Sequence, residues 1–112
     1  MTDKAELVLL LDYYGGFLTE RQRQLLEMSA DEDMSLAEIA QEVGISRQAV
    51  RDSLQKASAQ LRGFEQGLGL VSRDMQLRAL ADRLESALAD GDPVKIARAA
   101  SAAAAGLRAA VK

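Results

Sequence analysis

Two capped segments separated by a single turn, within residues 34–62, constrain the fold more than any other feature of the sequence. Ser35 followed by Glu38 forms a capping box, which predicts the start of a helix. Gly44 predicts the end of that helix, and Ser46 predicts the start of another one two residues later. This punctuation is typical of a helix-turn-helix, and an ordinary helical hairpin with the same caps is the alternative.

Both predicted helices carry an apolar stripe at helical spacing, so each can bury one face. The stripes consist of Leu36, Ile39, Ala40 and Val43 in the first helix, and of Val50, Leu54, Ala57 and Leu61 in the second. Small Ala40 suits a close crossing of the two helices, and Ile45 is placed to fill the wedge between them.

Composition narrows the chemistry that the chain can perform. Its 112 residues include neither cysteine nor histidine, which excludes disulfides, thiolate zinc sites and the usual nucleophilic dyads. We therefore expect that the protein is not an enzyme and that it has neither a cofactor nor a metal site. The acidic residues 31–33 lack the spacing and glycine of a calcium loop, and we interpret them as a solvated turn.

Hydropathy and helix propensity indicate the class of protein. No apolar run approaches the roughly 20 residues that a membrane span requires, so we expect a cytoplasmic protein without membrane insertion. A single proline, few β-branched residues and many strong helix formers predict an all-α fold.

Four further helices complete the expected architecture. Helices are predicted over residues 3–14, 20–30, 71–89 and 93–110, with Thr2 or Asp3 as the first cap and a bend at residues 67–69. We thus predict a four-helix, helix-turn-helix domain over residues 1–68, followed by a C-terminal helical hairpin or dimerisation arm over residues 69–112. Each of the last two helices also has a predicted apolar stripe. The stripe of the helix over residues 71–89 consists of Leu77, Leu80, Leu84 and Leu88, and that of the helix over residues 93–110 consists of Ile96, Ala100, Ala103 and Leu107, with Val111 directly after it.

The net charge of −3 is unevenly distributed along the chain. Residues 1–34 carry three basic and eight acidic side chains, whereas residues 46–62 carry four basic side chains and one acidic side chain, Asp52. The concentrated positive charge therefore falls on the second helix of the motif. This asymmetry favours a polyanion or an acidic protein as a partner, although it is weaker than the basic surface of a typical DNA-binding domain.

The polar side of this second helix supplies the candidate contact residues. They are Arg47, Gln48, Arg51, Gln55, Lys56 and Arg62. In a DNA reader, Arg pairs with guanine and Gln with adenine near the start of the recognition helix, where Arg47, Gln48 and Arg51 are found. Asp52 opposes that use, because a carboxylate repels phosphates. An exposed polar face without a partner is the alternative.

Several sequence blocks resemble known bacterial families. The block SLAEIAQEVGISRQAVRDSLQKASAQL resembles region four of bacterial sigma factors, a helix-turn-helix that reads promoter DNA. Residues 9–70 look more specifically like the small bacterial YlxM family. The matching pieces are DYYG at residues 12–15, LTERQ at 18–22, SLAEIA at 35–40, and SRQAV at 46–50 followed by Asp52.

This resemblance implies an all-α protein whose gene commonly neighbours those of the signal recognition particle and its receptor. It also implies an accessory or regulatory role in that pathway, with the particle's RNA or its GTPase as partner. The alternative is a DNA-binding transcriptional regulator that uses Arg47, Gln48 and Arg51 as a homodimer, so that two motifs meet two half-sites. A purely structural interaction protein is a third hypothesis.

Overall fold

Helices connected by short turns make up residues 3–111, the part of the chain described by this computed structural model, and no strand is present within that range. The helices are α1 (Lys4–Tyr14), α2 (Glu20–Leu26), α3 (Leu36–Val43), α4 (Arg47–Leu68), α5 (Leu70–Asp90) and α6 (Pro93–Ala110). The all-α fold class is confirmed. Asp3 caps α1 through its side chain, whereas Thr2, the other predicted cap, lies outside the described residues.

The helix-turn-helix is built by α3 and α4 around a small apolar core. Ile39 of α3 and Val50 of α4 are both completely buried, and they pack with Leu25 of α2. Gly44 ends α3 in the left-handed conformation, with φ at 81°, and the N–H groups of Gly44 and Ile45 both donate to the carbonyl of Ala40. The predicted turn and both predicted stripes are therefore confirmed.

A second set of contacts joins α1 to the C-terminal half of α4. Tyr14 is fully buried, and its hydroxyl donates a hydrogen bond to Oε1 of Glu65. The centroid of the Phe64 ring lies 6.0 Å from the centroid of the Tyr14 ring and 5.4 Å from that of the Phe17 ring. Because these contacts lie far along α4 from its first turn, they anchor the helix at its other end.

The segment after α2 departs from the predicted helix. We predicted a helix over residues 20–30, but the α-helix ends at Leu26 and a π-helical turn, Glu27–Asp31, follows it. The Glu32 N–H donates to the Glu27 carbonyl at 3.0 Å. Met28 and Met34 pack against the Leu25 and Ile39 core, so tertiary packing rather than local propensity sets this wider turn.

The chain divides into two compact units, Met1–Gly69 and Leu70–Lys112. Gly69, with φ at 64°, ends α4 where the bend was predicted. The boundary predicted for independent domains, between residues 68 and 69, stays a prediction. No helix within residues 3–111 is both long and apolar enough to cross a membrane.

In the second unit, α5 and α6 form an antiparallel hairpin. Gly91, with φ at 81°, ends α5, and the Asp92 carboxylate caps α6 by accepting the Val94 N–H at 2.9 Å. A Cβ added to Gly106 would lie 2.0 Å from Cδ1 of Leu80, so the two helices approach closely at that level. The predicted hairpin is thus confirmed.

The buried face of α6 differs from the predicted one. Ala99 is 2% exposed and Gly106 faces α5, whereas Leu107 is 57% exposed and Ala100 is exposed as well. The stripe predicted through Ala100 and Leu107 was therefore wrong in its rotation about the helix axis. Small side chains allow a close approach between helices, and the side of α6 that approaches α5 is the one that carries Gly106.

Two glycine substitutions should change stability in opposite directions. Gly44→Ala forces a Cβ into the left-handed region, and we expect it to destabilise the protein by about 1 kcal/mol. Gly63→Ala, within α4 and with open space around it, should stabilise the protein by about 0.5–1 kcal/mol. Urea unfolding monitored by circular dichroism measures the free energy of unfolding of both variants. Equal changes of the same sign in the two variants would contradict the assigned turn.

Candidate nucleic-acid interface

The candidate interface is the outward face of α4, which the core holds in place at both ends. Val50, Ala57 and Leu61 of this helix are buried at 0% exposure, so the opposite side must face solvent. At 1.5 Å per residue, the stretch from Arg47 to Arg62 extends about 22 Å along a straight helix axis. The face is consequently a rigid strip rather than a cluster on a loop.

The structure places all six candidate contact residues on the surface of the first unit. Arg47, Gln48, Arg51, Gln55, Lys56 and Arg62 are each exposed. At 100° per residue, Gln48, Arg51, Gln55 and Arg62 fall within about 60° of one another around the helix, so they share one side. Arg47 and Lys56 lie on the two flanks of that side.

Three of these cations have no acidic partner in the described part of the chain. Within residues 3–111, no carboxylate lies within salt-bridge distance of Arg47, Arg51 or Lys56. By contrast, Lys4 forms a salt bridge with Asp33, and Nε of Arg23 lies 3.8 Å from Oε1 of Glu27. The positive charge of α4 is therefore available to a ligand.

A side-chain hydrogen bond engages one candidate base reader. The Gln48 amide donates to Oδ1 of Asp52 at 2.9 Å, one helical turn along. This bond uses one of the two amide hydrogens of Gln48 and holds the amide against Asp52, which opposes its use as a bidentate reader of adenine. The contact was not predicted from the sequence, although the (i, i+4) spacing of Gln and Asp is a known signal for it.

The first helix of the motif presents acidic groups. Glu38 and Glu42 are exposed on α3, the helix that crosses the phosphate backbone when a helix-turn-helix docks on duplex DNA. Within the capping box, the Ser35 N–H donates to Oε1 of Glu38 at 3.1 Å. This backbone hydrogen bond, followed by the one to the Ser35 side chain, holds the pKa of Glu38 below its ordinary value of 4.5. Glu38 therefore keeps its negative charge at neutral pH.

Comparison with known proteins gives a consistent set of relatives. The model of the UPF0122 family, which describes helix-turn-helix proteins that are YlxM / p13 like, matches residues 1–97. A UPF0122 protein of Symbiobacterium thermophilum is 44% identical over 92% of this chain and 95% of its own length. A UPF0122 protein of Desulforamulus reducens is 46% identical over 68% of this chain and 65% of its own length. A UPF0122 protein of Shouchella clausii is 38% identical over 85% of this chain and 88% of its own length.

The capping box should make part of the stability depend on pH. Since the folded-state pKa of Glu38 is lowered, its stabilising contribution is present above 4.5 and is lost as the pH falls through the folded-state pKa. We expect the urea midpoint of the wild type to fall more steeply between about pH 5 and about pH 3 than that of Glu38→Gln. Glu42→Gln, on the same helix but outside the capping box, is the matched control and should follow the wild type.

Proposed function

Because the chain belongs to the UPF0122 family of YlxM/p13-like helix-turn-helix proteins, we propose that it is a non-enzymatic accessory protein of the signal recognition particle that binds the particle's RNA through α4. The pathway follows from the family resemblance described for residues 9–70. The exposed cations on α4 in the first unit support this helix as the contact surface. Partner and pathway are both proposals.

The observation that carries this proposal is the unpaired positive strip on α4. Arg47, Arg51 and Lys56 are exposed with no carboxylate within salt-bridge distance among residues 3–111, and Asp52, the one acid between them in sequence, accepts a hydrogen bond from Gln48. Such a strip can neutralise phosphates and release their counterions, which is the main source of affinity for a nucleic acid. Because these side chains project from a rigid helix, binding does not have to order the backbone that carries them.

Backbone contact fits this strip better than base reading does. The three unpaired charges extend over about 14 Å of helix, whereas only the first residues of a recognition helix reach base edges. Gln48 is already hydrogen-bonded, and Glu38 and Glu42 lie on the helix that would cross a DNA backbone. A structured RNA read by its shape and phosphates tolerates this arrangement more readily than a promoter does.

Neutralising the strip should weaken RNA binding and its dependence on salt. For the variant R47Q/R51Q/K56Q, we expect lower affinity for labelled particle RNA and a log–log salt slope less steep by about 2–3, at about 0.7–0.9 for each lost phosphate contact. The control R21Q/R78Q/R108Q removes the same charge from exposed positions outside α4 and should retain the slope. Fluorescence anisotropy at several salt concentrations gives both quantities.

The same titration separates RNA from the particle's GTPase as the partner. Binding to purified GTPase that is lost in R47Q/R51Q/K56Q, with no binding to RNA, would reassign the strip to an acidic protein surface. Flat curves for both partners at low salt would contradict a role in this pathway.

A DNA-binding regulator is the second candidate, favoured by the exposed arginines in the first turns of α4. It requires a footprint on duplex DNA that disappears with Arg51→Ala, because a bidentate contact to guanine contributes about 1–3 kcal/mol. Reading two half-sites also requires the homodimer, which stays a prediction. Footprinting on duplexes selected from a random pool tests the contact, and sedimentation at micromolar concentration showing only monomer would contradict the dimer.

A further inference from the structure

The second unit contains a basic hollow that the helix-turn-helix does not explain. It lies at the closed end of the α5 and α6 hairpin and has a volume of about 360 Å³. The small side chains Ala87 and Ala99, 8% and 2% exposed, line its inner part. Longer polar side chains, from both α5 and α6, complete the lining around these alanines.

Positive charge dominates the rim of this hollow. Arg83 comes from α5, and Lys95 and Arg98 come from α6. Nζ of Lys95 lies 3.3 Å from Oδ2 of Asp90, so this lysine and the one carboxylate of the lining compensate each other. Neither Arg83 nor Arg98 has a carboxylate within salt-bridge distance among residues 3–111. Two uncompensated guanidinium groups therefore remain at one hollow.

We propose that this hollow is a phosphate-binding site that gives the protein a second contact with the RNA backbone, an inference that rests on the proposed function. Guanidinium groups match the geometry of phosphate oxygens, and the Ser86 hydroxyl in the same lining is a further hydrogen-bond donor. The hollow is shallow and its lining is mainly polar. It suits one charged group of an extended polyanion rather than an enclosed small molecule.

An RNA backbone is favoured over an acidic peptide by the recurrence of the same feature. Each unit has unpaired, exposed cations on helices: Arg47, Arg51 and Lys56 on α4, and Arg83 and Arg98 on the hairpin. A polymer with a phosphate at every nucleotide can engage two such sites at once, and binding at one raises the effective concentration at the other. The hairpin thereby acquires a role beyond packing.

The site can be tested first without any RNA. In an amide-resolved NMR titration of the full chain with inorganic pyrophosphate, we expect shifts of the Ser86, Ala87 and Ala99 amides. These shifts should disappear in R83Q/R98Q and persist in the control R78Q/R108Q, which removes the same charge from exposed positions outside the hollow. Absence of shifts at these amides in the wild type would overturn the site, whatever the fate of the proposed function.

Binding of particle RNA then tests whether the RNA backbone is the ligand of this hollow. The salt slope of R83Q/R98Q for particle RNA should be less steep than that of R78Q/R108Q by about 1.4–1.8, at about 0.7–0.9 for each lost contact. R83K/R98K should recover most of the slope, and circular dichroism confirms that all variants fold. Equal slopes for the two Gln variants would overturn the RNA contact. Pyrophosphate shifts in a protein that binds no RNA would support the phosphate site and overturn the proposed function.

Discussion

Everything that α4 presents to solvent depends on the apolar contact between α2, α3 and α4. Leu25, Ile39 and Val50 are each 0% exposed, and fully burying side chains of this size stabilises a fold by about 1.5–3 kcal/mol apiece. Their contact fixes the rotation of α4 about its own axis. Because Val50 and its neighbours on α4 face the core, core packing also determines which side chains of this helix reach solvent, so their exposure and the stability of the first unit share one cause.

Features set by local sequence could be predicted from the chain alone. The capping box at Ser35 and the left-handed glycine at position 44 are both found in the structure. They depend on hydrogen bonds or dihedral angles within a few residues, which the sequence specifies directly. Exposure of the six candidate contact residues on α4 followed from the period of its apolar stripe.

Features set by distant contacts could not be predicted in this way. The π-helical turn after Leu26 arises where Met28 and Met34 both contact the core, and the local helix propensity of these residues does not indicate it. The rotation of α6 is decided by the close approach of Gly106 and Leu80, residues 26 positions apart in sequence. The basic hollow likewise combines α5 and α6 side chains that become neighbours only when the hairpin closes.

The buried phenol of Tyr14 gives the molecule an optical signal of its own. The chain contains two tyrosines and no tryptophan, so its ultraviolet emission comes entirely from tyrosine. A carboxylate that accepts a phenol hydroxyl quenches that emission, and Glu65 is such an acceptor in the folded state. Detachment of α1 from α4 would brighten Tyr14, which makes the opening of the first unit visible without an attached dye.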